Sequence, residues 1–331
     1  MKAVKVRVSE GEAVRHDLLE RGLMARGYRI KRIGDYLLIP VLKDVEGHVM
    51  AEGEFDTFAP VPSFDKRVES LLGKELSKNM RTFDSIGDIA IMEITEPLEP
   101  YAEEIASLLL ECSPHYKTVL AKAGALEGDF RTRQYVHLAG EMRTTTVHKE
   151  YGLRFEMDLS KVFFSPRLAT ERNRIAGIAG EDETIIDMFC GVGPFSISIA
   201  KRHPGTDIYA IDLNPDAIEY LKKNIALNGT ENITPICGDA KKTIPTLPRP
   251  DRILMNLPKF AHMFLSDAIS HVQNGGVVHY YTIVDDGEEE SHLTYIDTQS
   301  GKKESVVENM QRIKPYSPYS YMTCYDIRVS G

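Results

Sequence analysis

The chain has 331 residues, of which 42% are hydrophobic and 27% are charged, and this composition is that of an ordinary globular protein with two or three domains. No apolar run approaches the roughly 18 residues of a membrane span, and four scattered cysteines without a CxxC pair argue against a locally encoded zinc site or disulfide framework. The net charge of −9, taken over the whole chain, argues against a nucleic-acid partner.

The N-terminal residues 1–53 are predicted to form a small α/β domain. Alternating apolar and charged residues over 2–8 predict a strand, residues 12–24 predict a helix, and residues 36–41 predict a second strand. This segment lacks the apolar core and cleavage site of a signal peptide, so we expect a cytoplasmic protein. Residues 55–63 carry two prolines without helical periodicity and are predicted to form a linker.

A middle α+β domain is predicted over residues 65–160. Its elements are a strand over 86–94, a helix over 101–112, and strands over 144–148 and 153–158. Between Lys117 and Arg174 the basic residues outnumber the acidic ones. That excess predicts a basic stripe suited to RNA, although such a run is also typical of a solvated face.

Strands and helices alternate through residues 161–331, which predicts a doubly wound, Rossmann-like α/β domain. The predicted strands cover residues 185–189, 208–212, 233–236, 252–255 and 277–283, and the predicted helices cover 194–201 and 215–228. Ligands of such sheets bind at the carboxyl ends of the strands. The sequence therefore predicts a site in the loops that follow these strands.

The first strand of this domain ends in Asp187 and leads into a turn that contains Gly191 and Gly193. Glycine lets the backbone of such a turn approach a ligand closely, although tight turns also use glycine for steric reasons alone. The next strand ends in Asp212, where a carboxylate can accept hydrogen bonds from ribose hydroxyls. Because Pro194-Phe195 stands near the position of the third glycine of dinucleotide-binding turns, a nucleoside without a pyrophosphate fits better.

Asp239 follows the third strand, where it can accept a hydrogen bond from an adenine amino group or cap the next helix. Acids at three successive strand ends resemble those of the class I S-adenosylmethionine methyltransferases. The resemblance implies that S-adenosylmethionine is the cofactor and that it is held by Asp187, Gly191, Gly193, Asp212 and Asp239.

The segment Asn256-Leu257-Pro258-Lys259 follows the fourth strand. DNA and RNA amino-methyltransferases carry Asn-Pro-Pro-Tyr or a close relative at this place, and there the motif binds an exocyclic amine. Leu257 and Lys259 replace the second proline and the tyrosine. The departure favours a ring nitrogen as the methyl acceptor.

A second set of motifs resembles the archaeal and eukaryotic tRNA (guanine-37, N1)-methyltransferase family. The motifs are FRTR at 130–133, HLAGE at 137–141, KVFFSPRLATER at 161–172, NLPKFAH at 256–262 and HYYT at 279–282. The resemblance is close over about residues 80–283 and loose over the N-terminal domain. It implies a monomeric enzyme whose middle domain grips the anticodon stem-loop of tRNA and whose N-terminal domain reaches the outer corner.

The resemblance also implies roles for individual residues. Guanine N1 loses a proton as the methyl group arrives, so a general base is needed. The family pattern assigns the base to Glu171, the donor to guanine O6 to Arg131, and the orientation of the base to Asn256. It further implies cofactor contacts for Arg167 and Asn256, and substrate contacts for Phe163, Pro258 and Lys259. A close archaeal relative would have tyrosine in place of Phe163, so we expect stacking there but no hydroxyl role.

Alternatives to these assignments remain. Glu171 can instead pair with Arg167 or Arg174 on a helix face, and Arg131 can instead contact a phosphate. On the same scaffold, the wybutosine-pathway transferase moves an aminocarboxypropyl group, and a catalytically silent tRNA-binding protein is the alternative from another class. Glu171 and Asn256-Leu257-Pro258 favour methyl transfer, and no metal site is predicted.

Overall fold

The computed structural model describes residues 1–57, 63–127 and 132–331. The chain divides into two compact units, Met1–Arg67 and Val68–Gly331. The predicted boundary between the middle and C-terminal domains, at residue 160, falls inside the second unit and stays a prediction. Within the described ranges, no helix combines the length and the apolar character needed to span a bilayer.

The first unit is an antiparallel sheet with one helix. Its elements are β1 (Lys2–Arg7), α1 (Gly11–Glu20), β2 (Lys31–Ile33), β3 (Tyr36–Pro40) and β4 (Val49–Glu52). The strands pair in the order β2-β3-β1-β4, and Val4, Val6 and Leu18 are buried in its core. The predicted helix over 12–24 ends earlier, at Glu20, because Gly22 adopts a left-handed conformation with φ of 64°.

Helix α2 (Phe64–Ser77) crosses the boundary between the two units and is kinked at Gly73. One helix and two small sheets follow it to residue 158, with the elements β5 (Asp84–Ile86), β6 (Ile89–Met92), α3 (Ala102–Cys112), β7 (Thr118–Glu127), β8 (Thr132–Gly140), β9 (Thr145–Glu150) and β10 (Leu153–Asp158). Strands β5 to β8 form one sheet in chain order, and β9 and β10 form a hairpin. Residues 58–62 of the predicted linker lie outside the described residues.

The prediction of a single strand over 86–94 is wrong. Gly87 has φ of 58°, and this conformation, which favours glycine, turns the chain between β5 and β6. A Cβ at Gly87 would lie 2.1 Å from Thr146 Oγ1. The turn therefore packs directly against β9 and needs glycine for both reasons.

The remaining residues form the predicted α/β domain. Its elements are α4 (Ala169–Ile178), β11 (Thr184–Asp187), α5 (Pro194–Arg202), β12 (Asp207–Asp212), α6 (Pro215–Asn228), β13 (Ile233–Cys237), α7 (Ala240–Thr243), β14 (Arg252–Met255), α8 (Leu265–His271), β15 (Val277–Asp285), α9 (Glu289–Ser300), β16 (Glu304–Ser317) and β17 (Ser320–Ser330). The strand order is β13-β12-β11-β14-β15-β17-β16. The first five strands in this order are parallel. Strand β17 runs antiparallel to β15, and β16 runs antiparallel to β17. The Rossmann-like fold is confirmed, whereas the antiparallel hairpin was not predicted.

The order of strands locates a crevice. From β11 the chain moves to β12 and β13 on one side and then crosses to β14 and β15 on the other, so the carboxyl ends of β11 and β14 border the point where ligands bind in such sheets. Both faces are covered, because the adjacent residues Ile185 and Ile186 enter two different hydrophobic clusters. The cluster with Ile185 also contains Ile89 and Phe155, so the middle segment packs on the same core.

The predicted basic stripe is not a continuous charged surface. Arg143 pairs with Asp88, and Arg172 pairs with Glu150. Arg174 likewise pairs with Glu171. These arginines neutralise acids within the fold, and fewer cations of the 117–174 segment remain for a partner.

Candidate active site

One cavity lies at the carboxyl ends of β11 to β14 and gathers much of the predicted site. The predicted residues that line it are Phe163, Gly191, Asp212, Asp239, Asn256, Pro258 and Lys259. The loops after four different strands supply most of them, as the sheet topology requires. Glu171, Asp187, Gly193 and Arg167 do not line this cavity.

The two glycines of the turn after β11 have different functions. Gly191 and Gly193 have φ of 56° and 86°, which glycine adopts without strain. A Cβ at Gly193 would lie 2.3 Å from Leu221 Cδ1, whereas the nearest atom to a Cβ at Gly191 is 3.9 Å away. Gly193 therefore permits close packing of α5 on α6, and Gly191 leaves room on the cavity side.

The Asp212 carboxylate lies partly buried at the end of β12 and lines the cavity. Its Oδ2 accepts a hydrogen bond from Gly191 N at 2.8 Å, and its Oδ1 accepts one from Asn214 N at 2.9 Å. Burial raises the pKa of this carboxyl above its ordinary value. Two backbone donors fix its position, and a carboxylate keeps further lone pairs for the hydroxyls of a ligand.

Asp239 caps a helix, which is one of the two roles that the sequence left open, and its contact with adenine stays a prediction. Its Oδ1 accepts a hydrogen bond from Lys241 N at 3.0 Å, so Asp239 caps the short helix α7. The same residue lines the cavity beside Gly238 and Ala240. The cap orients the carboxylate, and the cavity gives a ligand access to it.

Asp187 lies beneath the turn that contains Gly191 and Gly193, and it does not line the cavity. This position does not support the predicted contact between Asp187 and the cofactor. Its Oδ2 accepts a hydrogen bond from Ser196 Oγ at 2.7 Å, and its buried Oδ1 has no hydrogen-bond partner among the described residues. Burial raises the pKa of this carboxyl to about 7. Asp187 therefore holds α5 to the end of β11 and supports the turn from below.

The raised pKa of Asp187 predicts a pH-dependent effect of Asp187→Asn on stability. The folded protein keeps this proton up to a pH of about 7, whereas the carboxyl of the unfolded chain loses it near pH ~3.9. Between these values the free energy of unfolding of the wild type falls relative to the variant by about 1.4 kcal/mol per pH unit, and above pH about 7 the difference becomes constant. Urea denaturation at several pH values measures it, with the exposed Asp207→Asn as control. A difference that does not change with pH would contradict the burial argument.

The segment after β14 presents its side chains to the cavity. Leu257 N donates to Met255 O at 2.9 Å, and Phe260 N donates to Leu257 O at 2.8 Å, so the chain turns immediately after the strand. Asn256 lines the cavity, and the hydrogen bonds of the described residues do not engage its side-chain amide. Lys259 Nζ lies 5.7 Å from the centre of the Tyr316 ring. The amide of Asn256 therefore keeps donor and acceptor capacity for a ligand.

Glu171, the predicted general base, lies in a buried ion-pair network. Arg174 donates from Nε to Glu171 Oε2 at 2.8 Å and from Nη2 to Oε1 at 2.7 Å. The Tyr281 hydroxyl donates to Oε1 at 2.7 Å. This is the pairing with Arg174 that the sequence left open. The neighbouring residues Leu168 and Arg172 do line the cavity, so the carboxylate would have to leave its present partners to act there.

Arg174 connects Glu171 to a second buried acid. Its Nη1 donates to Asp326 Oδ2 at 2.7 Å, and Asp326 Oδ1 lies 2.6 Å from His279 Nδ1. His279, Cys324 and Asp326 are close enough to hold a metal ion. However, Arg174 and Arg252 already contact this group, and their positive charges disfavour a cation. Asp326 is distant from Glu171 in the sequence, so no local pattern indicates this network.

Arg167 lies outside the cavity at the carboxyl ends of β11 to β14, and its predicted cofactor contact stays a prediction. Its Nε and Nη2 donate to Asp84 Oδ1 at 3.0 and 2.6 Å, which holds the guanidinium in a neighbouring cavity. Lys122 Nζ lies 3.0 Å from the other carboxylate oxygen of Asp84. Arg131, the predicted donor to O6, lies outside the described residues, and its assignment stays a prediction.

Comparisons with known proteins cover most of the chain. A family model described as the TRM5/TYW2 methyltransferase domain matches residues 146–307. The models of the TYW2 N-terminal domain and the tRNA methyltransferase 5 N-terminal domain match residues 66–144 and 3–50. The three matches therefore follow one another along the chain.

Two relatives and one solved structure illustrate the similarity. The tRNA (guanine(37)-N(1))-methyltransferase Trm5b of Pyrococcus abyssi is 44% identical over 99% of both chains. The tRNA(Phe) (4-demethylwyosine(37)-C(7)) aminocarboxypropyltransferase of Pyrococcus horikoshii is 32% identical over 80% of this chain and 96% of its own length. The structure of aTrm5 in complex with tRNALeu superimposes with a TM-score of 0.74 at 35% identity over 99% of both chains.

Proposed function

The chain belongs to the TRM5/TYW2 methyltransferase family, and we propose that it transfers the methyl group of S-adenosylmethionine to N1 of guanine 37 in tRNA. The proposal is carried by the similarity to a tRNA (guanine(37)-N(1))-methyltransferase over 99% of both chains. It is supported by a cavity that Gly191, Asp212, Asp239 and Asn256 line together. The aminocarboxypropyltransferase relative covers only 80% of this chain. The N-terminal match, over residues 3–50, is to the tRNA methyltransferase 5 domain.

The cavity fits an adenosine-containing cofactor. Asp212 offers its carboxylate to ribose hydroxyls, Asp239 offers an acceptor to an adenine amino group, and Gly191 leaves open space beside them. When bound, S-adenosylmethionine supplies a methyl group activated by its own sulfonium, so the protein has to position guanine and accept one proton.

The target base belongs at the same cavity. Residue 37 lies in a single-stranded loop, so its base can be splayed out without breaking a duplex. Phe163 lines the cavity with 39% of its surface exposed and offers a ring for stacking, and the Asn256 amide can bind the edge of the base. We also propose that the enzyme acts as a monomer that grips the anticodon stem-loop.

We propose that Glu171 is the base that accepts the proton of guanine N1. Its carboxylate must first break its hydrogen bonds with Arg174 and Tyr281. Arg174 is shared with Asp326, so it stays paired when Glu171 departs. An isolated buried arginine would make such a departure costly. The shared arrangement supports Glu171 as a base that is released when the substrate binds.

Asp212→Ala is expected to weaken S-adenosylmethionine binding by about 1–3 kcal/mol, because a charged acceptor at the ribose is lost. Isothermal titration calorimetry measures the change. Asp216→Ala is the matched control, since Asp216 lies four residues on, does not line the cavity and pairs with Lys161 at the surface. Equal affinities of the two variants would refute the ribose assignment.

The proposed function is tested with tRNA that lacks modifications. Protein and methyl-labelled S-adenosylmethionine are incubated with transcripts that carry guanine or adenine at position 37, and the product is digested to nucleosides. We expect label in N1-methylguanosine with the guanine transcript alone. Label in another nucleoside, or equal labelling of both transcripts, would overturn the proposal.

A further inference from the structure

A second cavity adjoins the cavity at the carboxyl ends of β11 to β14, which we call the cofactor cavity. The two cavities share part of their lining. The residues that line both are Phe163, Phe164, Ser165, Lys314 and Tyr316. Three of them belong to the loop before α4, and the other two belong to the edge strand β16. The two cavities therefore meet between this loop and β16.

The second cavity is positively charged. Its cationic lining residues are Lys122, Arg133, Arg167 and Lys314, and Asp84 is the one acid among the described residues that line it. Asp84 binds both Lys122 and Arg167, and these cations hold the pKa of its carboxyl below the usual range. One carboxylate thus fixes two cations in place and leaves the cavity with an excess of positive charge, which suits an anion such as a phosphate.

The geometry of β16 changes where it reaches the two cavities. Its register against β17 shifts between Arg312 and Lys314 and again between Pro315 and Ser317. Bulges at sheet edges redirect side chains and are frequent beside active sites. Lys314 and Pro315 lie between the two shifts, and Tyr316 is the residue at which the second shift occurs.

Both side chains reach the opposite walls of the junction. Lys314 Nζ lies 3.3 Å from Ser165 Oγ on the loop before α4, and the Tyr316 ring lies beneath Lys259 Nζ of the segment after β14. Tyr316 keeps 49% of its surface exposed. Strand β16 therefore closes the junction with one cation and one accessible aromatic ring.

We propose that Lys314 and Tyr316 hold the target nucleotide, with Lys314 on its phosphate and Tyr316 packed against its base across from Phe163. The inference rests on the proposed function, and it assigns substrate binding to the C-terminal edge strand. A methionine carboxylate of the cofactor is a second anion that Lys314 could bind. The nucleotide phosphate is favoured because Lys314 also lines the cavity that contains Lys122, Arg133 and Arg167.

The test compares Lys314→Ala and Tyr316→Ala with two controls on the same part of the chain. Lys302→Ala removes an exposed lysine just before β16, and Tyr319→Ala removes a tyrosine that is 77% exposed in the turn after it. Neither control residue lines the two cavities. Methylation kinetics are measured over a range of tRNA concentrations, and cofactor affinity is measured by calorimetry.

We expect Lys314→Ala to raise the KM for tRNA by about 10- to 100-fold, as for loss of a hydrogen bond to a charged group, with cofactor affinity unchanged. The slope of log affinity for tRNA against log salt should fall by about 1, because one phosphate contact is lost. Tyr316→Ala should weaken tRNA binding by about 5- to 100-fold through loss of stacking, without a change in the salt slope.

Three results would overturn the inference while the wild type methylates guanine 37: variants that equal their controls, a loss of cofactor affinity without a change in the KM for tRNA, or an unchanged salt slope in Lys314→Ala. A wild type that forms no N1-methylguanosine would instead contradict the proposed function. Measurement of tRNA binding alone by the same variants would still decide whether β16 holds the RNA.

Discussion

Replacement of Glu171 by glutamine is expected to slow methyl transfer by ~10²- to 10⁴-fold under single-turnover conditions. Glutamine preserves the size of the side chain and can still accept hydrogen bonds from Arg174 and Tyr281, which contact Glu171 in the structure. It cannot accept the proton of guanine N1. We therefore expect the rate to fall while the affinities for tRNA and cofactor change little, and Glu171→Asp should keep more activity.

Asp326→Asn is the matched control for this prediction. It removes the charge of the other acid that pairs with Arg174, so it disturbs the same network and leaves the proposed base in place. Because Arg174 would then keep Glu171 as its charged partner, we expect this variant to lower stability and to slow the release of the base, but to lose less single-turnover rate than Glu171→Gln. If Glu171→Gln retains the wild-type rate, Glu171 is a structural member of the network and the base has to be sought elsewhere.

Glu150→Ala is expected to lower the free energy of unfolding by about 3–5 kcal/mol, because it leaves the buried Arg172 without its carboxylate. Arg172 is 1% exposed, and its Nε donates to Glu150 Oε1 at 2.7 Å. The Nη1 of Arg172 also donates to Ser165 O at 3.2 Å. Arg172 and Ser165 both line the cofactor cavity. Urea denaturation measures the loss, and cofactor affinity should fall with it.

The control for the ion pair is Glu141→Ala. Glu141 pairs with Arg143 but keeps 60% of its side chain exposed, and exposed pairs contribute about 0–1 kcal/mol. Replacement of Glu150 and Arg172 together by leucine should recover part of the lost stability, since no unpaired buried charge remains. Equal effects of Glu150→Ala and Glu141→Ala would show that the buried pair contributes no more than a surface pair.

The parts of the site that depend on local sequence could be predicted. A parallel strand, a glycine turn and a helix form a short continuous pattern, so the positions of Gly191, Asp212 and Asp239 at strand ends follow from the order of residues. The same pattern predicted the five parallel strands. The pattern could not show that Asp187 lies outside the cavity. A shift of one residue at the end of a strand is enough to place a side chain inside or outside the cavity.

Features that depend on distant pairing could not be predicted in the same way. Asp326 joins the Glu171 network through Arg174, and nothing in the sequence around either residue indicates the contact. Strand β16 is predominantly polar, so its apolar periodicity is weak, and Lys314 and Tyr316 reach the site through register shifts. The hairpin at Gly87 was missed for another reason: a glycine within an apolar run is typical of both a continuous strand and a turn.

The identity of the group that the enzyme transfers to tRNA distinguishes methyl transfer from aminocarboxypropyl transfer. The reaction is run on tRNA with guanine 37, once with cofactor labelled in the methyl group and once with cofactor labelled in the carboxyl carbon of the methionine moiety. We predict that the methyl label alone enters the RNA and that it is recovered in N1-methylguanosine. Recovery of the carboxyl label in the RNA would instead identify an aminocarboxypropyl transferase, and RNA without either label would exclude transferase activity on this substrate.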